Sequence, residues 1–277
     1  MSRRTLLAGL GAAVLPLPAK MGEVEIGVCG AIDDFEKAEQ AGFDYFEPGA
    51  AAIAALSEAA FADFAKRVSK SRIRCECFNS LVRTLVVVGP AVDRAALTGY
   101  LNSALDRCRA LGGTIVVWGS AGSRNVPEGF PRERAWEQIV GFLRMAAPLA
   151  KSRNITIAIE PLRKQESNII NTGAEAFRLV REVDHPNVKM IIDYYHLAEE
   201  HEDPKILETA RDAIVHLHFA NPAGRVWPKD PAENSGYGPF FAEVKKIGFR
   251  GGLSIEGRGK IETDGAASLA FFRKELA

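Results

Sequence analysis

Three acidic residues in this chain stand at the ends of short apolar runs. Glu160 follows Ile157-Ala158-Ile159, Asp193 follows Met190-Ile191-Ile192, and Glu256 follows Leu253-Ser254-Ile255. A fourth run, Val215-His216-Leu217-His218-Phe219, carries two imidazoles. A carboxylate drawn into an apolar setting is costly unless it is paired, protonated or bound to a metal. Any one of these acids alone reads as the partner of an Arg or Lys at a helix start. Three of them with an imidazole between would repel one another, and one bound divalent ion resolves the repulsion. Glu160, Asp193, His218 and Glu256 are therefore the expected metal ligands. His216 and His218, two apart on a strand, face one side, and Val215, Leu217 and Phe219 are expected on the other. His218 is nearer the C-terminal rim, which makes it the expected ligand. His216 lies one layer deeper and reads as a hydrogen-bonded core residue.

These runs belong to a regular alternation. The sequence predicts strands at 24–29, 45–47, 73–78, 114–118, 155–160, 188–193, 214–220 and 252–256. Several are nearly continuous apolar stretches, as strands buried on both faces are. Between them lie helical patterns at 33–41, 57–70, 93–111, 132–151, 174–183, 204–211, 240–247 and 266–276. In the segment 174–183, Ala174, Phe177 and Val180 fall at helical spacing, with Glu175, Arg178 and Glu182 on the wet side and Thr172 as the cap. Eight strands alternating with eight helices predict an α/β fold, a single (β/α)₈ barrel over residues 21–277. An open doubly wound sheet would need GxGxxG after the first strand, where Gly27-Val28-Cys29-Gly30-Ala31-Ile32-Asp33 stands instead. The ends of parallel barrel strands converge on one face, so the candidate ligands share a mouth. The long segment 221–238 lies at that mouth, and long loops inside compact domains are usually functional.

Composition narrows the partner. Of 277 residues, 47% are hydrophobic and 25% charged, with Lys+Arg and Asp+Glu equal at 35 each. Without the first 19 residues, 33 basic side chains face 35 acidic ones. No field of one sign is available to attract nucleic acid or an anionic membrane, so a small, weakly charged substrate is expected. Self-association is left open. Residues 1–20 read separately, as a twin-arginine-type signal segment: Arg3-Arg4 precedes an apolar run from Leu6 to Leu17 that ends near Ala19. The run falls short of the ~20 apolar residues a membrane span needs. The expected location is periplasmic or exported; an uncleaved N-terminal tail on a cytoplasmic protein is the alternative. Cys29, Cys75, Cys77 and Cys108 form no CxxC pair and read as buried thiols.

From about residue 155 to 258 the chain resembles the xylose-isomerase-like barrel superfamily, in its sugar isomerase/epimerase branch of ketose 3-epimerases and hydroxypyruvate isomerases. The resemblance is carried by Ile159-Glu160-Pro161-Leu162 with Glu166 and Asn171-Thr172, by Asp193-Tyr194-Tyr195-His196, by His216-Leu217-His218, and by Ser254-Ile255-Glu256. The approach to the last strand, from Gly236-Tyr237-Gly238 to Gly248-Phe249-Arg250-Gly251, is similar too. The resemblance implies one divalent ion, Mn²⁺ first, with Mg²⁺ or Co²⁺ as alternatives, since oxygen donors with one imidazole suit these ions. It also implies a sugar or keto-sugar substrate and proton abstraction next to a carbonyl through a metal-stabilised enediolate, with Glu160 and Glu256 as the catalytic acid–base pair. His196, Glu166 and Arg225 would bind substrate. Two departures bear on the sugar rather than the metal. Arg163-Lys164-Gln165 replaces an Asn-Arg-aromatic sequence, and Asn221-Pro222-Ala223-Gly224 intervenes before Arg225.

Other positions read two ways. Trp118 is either an apolar wall against a sugar or core packing, and Glu47 either a substrate contact or a structural salt bridge. Arg74 and Glu76 read as an internal ion pair, and His185 and His201 as solvated. Three rival functions were weighed. An endonuclease-IV-like phosphodiesterase needs further histidines early in the barrel, and none precedes His185. An inosose or dehydroshikimate dehydratase begins with the same proton abstraction. A non-catalytic sugar-binding barrel would not require two opposed bases. Replacing Arg3 and Arg4 with lysine is expected to hold the protein in the cytoplasm, read by fractionation of the native host. Wild-type protein found full-length and only in the cytoplasm would contradict export.

Overall fold

The computed structural model describes residues 24–277; the expected signal segment, with Arg3 and Arg4, lies outside them. Eight parallel strands alternate with helices, in agreement with a single (β/α)₈ barrel. In chain order the elements are β1 (Glu25–Gly30), α1 (Phe35–Ala41), β2 (Tyr45–Pro48), α2 (Ala50–Ala54), α3 (Glu58–Lys70), β3 (Cys77–Phe78), α4 (Arg94–Ala110), β4 (Ile115–Trp118), α5 (Ala121–Arg124) and α6 (Arg132–Lys151). There follow β5 (Thr156–Ile159), α7 (Gly173–Val183), β6 (Val188–Asp193), α8 (Tyr194–Glu199), α9 (Ile206–Thr209), β7 (Ile214–Phe219), α10 (Tyr237–Lys246), β8 (Gly252–Ile255) and α11 (Ile261–Leu276). Caps stand where hydroxyls and carboxylates can accept orphan N–H groups. Ser57 accepts from Ala60, Asp93 from Ala96, and Thr172 from Glu175.

The strands pair in the order β2-β1-β8-β7-β6-β5-β4-β3. Closure between β2 and β3 is sparse. Phe46 N donates to Arg74 O at 2.9 Å, Asn79 N to Pro48 O at 3.1 Å, and Ala50 N to Asn79 O at 2.7 Å. The expected third strand, 73–78, shrinks to two ladder residues because residue 73 lies in a bend and residues 74–76 stay outside the ladder. Arg74 there donates to the carbonyls of Val68, Ser71 and Ile73 rather than pairing with Glu76.

Two apolar layers result. The larger lies between strands and helices; a small one inside the barrel comprises Tyr45, Cys77, Val117, Ala158 and Ile191. Leu217 and Phe219 face the helices, while His216 and His218 face inward. Val215 departs from the expected alternation. Met190 pairs with Ile214 and Ile191 with His216, so Val215 is the extra residue of a bulge and packs against the inner layer. The buried stripe of α7 is likewise rotated from the expected one, to Ala176, Leu179 and Val183. The four cysteines are free thiols, three of them buried.

Phe219 anchors β7 to the helices. Its ring stacks on Tyr194 at 4.5 Å and Phe241 at 5.2 Å, and meets Tyr237 and Phe272 at 5.1 and 5.2 Å. Phe219→Ala is expected to cost about 3–5 kcal/mol, the usual range for truncating a packed core aromatic. Urea denaturation measures it, and a loss below about 1 kcal/mol would contradict this role.

Candidate metal and catalytic centre

Glu160, Asp193, His218 and Glu256 meet at the C-terminal mouth, each with a ligand-type atom within 4.8 Å of the others. Asp193 closes β6, His218 is inside β7, and Glu160 and Glu256 are the first residues beyond β5 and β8. Neighbouring registers align them: Asp193 is opposite His218, and His218 opposite Ser254. His218 Nδ1 lies 3.2 Å from Glu160 Oε1 and 3.4 Å from Glu256 Oε2. Asp193 also caps α8, accepting at Oδ1 from Tyr195 N at 2.8 Å. That leaves Oδ2 buried with no hydrogen-bond partner.

Below the four, Glu47 is fully buried and uses both oxygens. Oε1 meets His218 Nε2 at 2.9 Å; Oε2 meets His216 Nε2 at 2.9 Å and accepts from Ser254 Oγ at 2.5 Å. Tyr45 OH extends this network to Ser254 Oγ at 2.7 Å. Glu47 is thus the internal salt-bridge partner of both histidines, and the substrate-contact reading is corrected: the imidazoles cover it. With Nε2 bound to Glu47, the Nδ1 edge of His218 is the one turned toward Glu160 and Glu256. The same carboxylate belongs to two further groups with metal-ligand chemistry, with Cys29 and His218 and with Cys77 and His216. Burial, then Glu47, pushes both of those thiols well above their ordinary range, which leaves them poor ligands.

The electrostatics fit a cation at the upper cluster. Burial raises Asp193 to about 8, with Glu160 and Glu256 adding to the rise and Arg225 opposing it. Burial and the charge of Glu256 also raise Glu160. For Glu256 burial acts upward, but His218 and Arg225 prevail and hold it at about 2. Burial opposes protonation of His218, yet Glu47 and Glu256 keep it well above its ordinary range. Protein groups alone balance the carboxylates by retaining protons. Asp193 Oδ2, without a hydrogen bond and with His196 Nε2 and Arg225 Nη2 only at 3.6 and 3.7 Å, and three converging oxygen donors with one nitrogen suit a divalent ion such as Mn²⁺, Mg²⁺ or Co²⁺.

A cleft of about 360 Å³ opens above these residues, lined by Glu160, Glu166, His196, Arg225 and Glu256 among others. His196 is buried, and its Nδ1 accepts from Arg163 N at 3.2 Å. Burial, then Arg225, lowers its pKa to about 3, so the ring is neutral with its proton on Nε2, which makes no hydrogen bond and lies 3.6 Å from Asp193 Oδ2. Arg225 is held in the left-handed region at φ 52°. Its Nη2 is 2.7 Å from Glu256 Oε2 and its Nη1 3.4 Å from Glu166 Oε1. The Tyr195 ring has two guanidiniums against it, Arg225 at 4.5 Å and Arg163 at 4.9 Å, and Glu166 binds both. The segment 221–238 is pinned by Asn221 N donating to Val226 O at 2.8 Å and Arg258 N to Arg225 O at 2.6 Å.

Trp118 does not line the cleft. It is buried in the outer core, 4.9 Å from the Phe142 ring, so the apolar-wall reading is corrected. The inward position belongs to the next residue, Gly119. A Cβ there would stand 1.7 Å from Glu160 Oε2 and 2.7 Å from its Cδ, because the carboxylate occupies that space. Sequence reasoning missed Gly119, and it missed Arg124 on the unforeseen helix α5. Arg124 is fully buried; Nη1 donates to Trp118 O at 2.7 Å and Nη2 to Glu160 O at 2.5 Å, tying the ends of β4 and β5 together. Burial lowers its pKa to about 10 against the pull of Glu160. His185 is half-buried with Nδ1 accepting from Asn187 N, and His201 is exposed; both are remote from the cleft lining. Gly119→Ala is expected to unseat the Glu160 carboxylate and weaken divalent-ion affinity about 10–100-fold. Calorimetric titration with Mn²⁺ measures this, with circular dichroism reporting an intact fold; unchanged affinity would contradict the close approach.

Comparison with known proteins agrees with this architecture. A family model described as the xylose isomerase-like TIM barrel matches residues 35–275. The L-ribulose 3-epimerase of Methylomonas sp. (strain DH-1) is 29% identical over 160 residues, covering 56% of this chain and 54% of that protein. The chain thus matches about half the length of that relative. The 3-dehydro-D-guloside 4-epimerase of Escherichia coli (strain K12) is 27% identical over 198 residues, covering 67% and 74%. The crystal structure of a D-psicose 3-epimerase in the presence of D-fructose superposes with a TM-score of 0.81 at 20% identity, covering 91% of this chain and 99% of that one, a likeness of fold. By its eight-stranded parallel barrel and a family match over most of its length, the chain belongs to the xylose isomerase-like TIM barrel family.

Proposed function

We propose that this protein is a divalent-metal-dependent sugar epimerase, holding its ion with Glu160, Asp193, His218 and Glu256 and acting on a small sugar or keto-sugar. The observation that carries the reading is the pair Glu160 and Glu256, both close to His218 Nδ1, at 3.2 and 3.4 Å, and both lining one cleft. The relatives are by name sugar epimerases, which supports carrying that chemistry to this site. Mn²⁺ is the ion assigned first, with Mg²⁺ and Co²⁺ compatible with the same donors. When bound, the ion polarises the substrate carbonyl and offsets charge that develops on oxygen as the neighbouring proton leaves.

The chain's own groups divide the remaining work. One of Glu160 and Glu256 accepts the proton next to the carbonyl, and the other returns one from the opposite face, inverting that carbon. The Nε2–H of neutral His196, which makes no hydrogen bond within the protein, donates to a substrate oxygen. Arg225, fixed by Tyr195 and Glu166, supplies a second donor. Glu47 keeps His218 Nδ1 turned upward. Return of the proton to the adjacent carbon would give isomerisation, and loss of a hydroxyl would give dehydration, so product analysis separates these outcomes.

Turnover in D₂O is expected to place deuterium on the carbon next to the carbonyl. Glu256→Gln should retain substrate binding better than turnover, which falls about 10²–10⁴-fold. Mass spectrometry of product, with the variant's metal content, tests this. Full activity in metal-free Glu256→Gln, or turnover that carries no solvent deuterium while exchange is fast, would sink the proposal.

A further inference from the structure

Arg83 lies in the segment between β3 and α4 and lines the same cleft as Glu160 and Glu256. Its side chain is exposed, and among the described residues it is the one arginine with no hydrogen bond, ion pair or ring contact. The cleft's acids have cations of their own: Arg225 pairs with Glu256 and Glu166, and Arg163 with Glu166. Arg83 is therefore not needed to balance them. Its guanidinium offers five donors in a planar fork that matches a carboxylate or a phosphate.

A second free group lines this cleft. Ser120 stands at the N-cap of α5, where a serine ordinarily accepts a helix N–H, yet it makes no capping bond. Its Oγ is buried and has no hydrogen-bond partner. A buried hydroxyl without a partner is costly, and a ligand oxygen would supply one. Ser80, on the same lining, is held in the left-handed region at φ 53°, a conformation disfavoured for a residue with a side chain and recurrent at ligand clamps.

We propose that Arg83 and Ser120 form a subsite for an oxyanion carried at the terminal carbon of the sugar, a carboxylate or a phosphate, so that the preferred ligand is an acidic sugar rather than a neutral one. This rests on the epimerase reading for the rest of the ligand. It is tested by calorimetric binding of D-fructose, D-fructuronate and D-fructose 6-phosphate, a series differing at C6, to the full Mn²⁺-loaded protein. One of the two anions should bind at least about tenfold more tightly than fructose, as a charge-assisted fork contact provides. Which one it is tells carboxylate from phosphate. Arg83→Ala should bring the ratio to within about twofold, and Arg83→Lys, which keeps the charge without the fork, should restore part of it. The absence of an Arg83-dependent preference for either anion overturns the proposal. Deuterium incorporation on the same panel is read separately. Arg83-dependent binding without exchange would remove the epimerase reading and leave the subsite standing, and exchange without anion preference would do the reverse.

Discussion

Glu160, Asp193 and Glu256 bring like charge into a space where ligand-type oxygens lie within 4.8 Å of one another. Two unit charges about 4 Å apart repel by roughly 4 kcal/mol at an effective dielectric of about 20. Much of the site answers that cost. Arg225 binds the most exposed acid, Asp193 takes a proton easily, and Glu47 and Glu256 raise the His218 pKa well above its ordinary range against the effect of burial. The barrel contributes geometry, since parallel strands in register deliver the four side chains to one rim. The same repulsion makes the cluster receptive to a divalent ion, which replaces several partial compensations with one.

Below the rim, the order of the lumen depends on Glu47. Two imidazoles and a hydroxyl share its two oxygens, and the three ring and hydroxyl donors come from β7 and β8 while the acceptor comes from β2. A partly satisfied buried network of this kind would be worse than an apolar filling. Here each Glu47 oxygen is bonded, so the network fixes the ring that the upper cluster uses. The departures from the family pattern also find partners: Arg163 and displaced Arg225 both contact the Tyr195 ring and share Glu166, an assembly that turns an unusual loop into a fixed donor.

The strand ends could be read from the sequence because an apolar run followed by an acid is a local signal, and three such signals with one histidine-bearing run among them leave few topologies. The layering of His216 beneath His218 followed from the two-residue period alone. Glu47 could not be resolved this way: its partner His216 is 169 residues distant, and nothing near Glu47 marks which way it faces. Trp118 drew attention as a large side chain at a strand end, while the inward place belongs to Gly119, which signals nothing by its type. Arg124 sits in a polar stretch that reads as an ordinary loop, and only the fold shows it buried between two carbonyls. Val215 breaks an otherwise correct alternation because a bulge is set by pairing with β6, not by the sequence of β7.

The sparse seam between β2 and β3 gives the barrel a preferred place to breathe. Opening a cooperative unit costs least where the fewest backbone hydrogen bonds are broken, and here the ladder dwindles to a few contacts near Phe46, Pro48 and Asn79. β2 carries Glu47, so the acceptor that orients His218 stands beside this seam. A group on the first quarter of the chain thereby sets the orientation of an imidazole on the last.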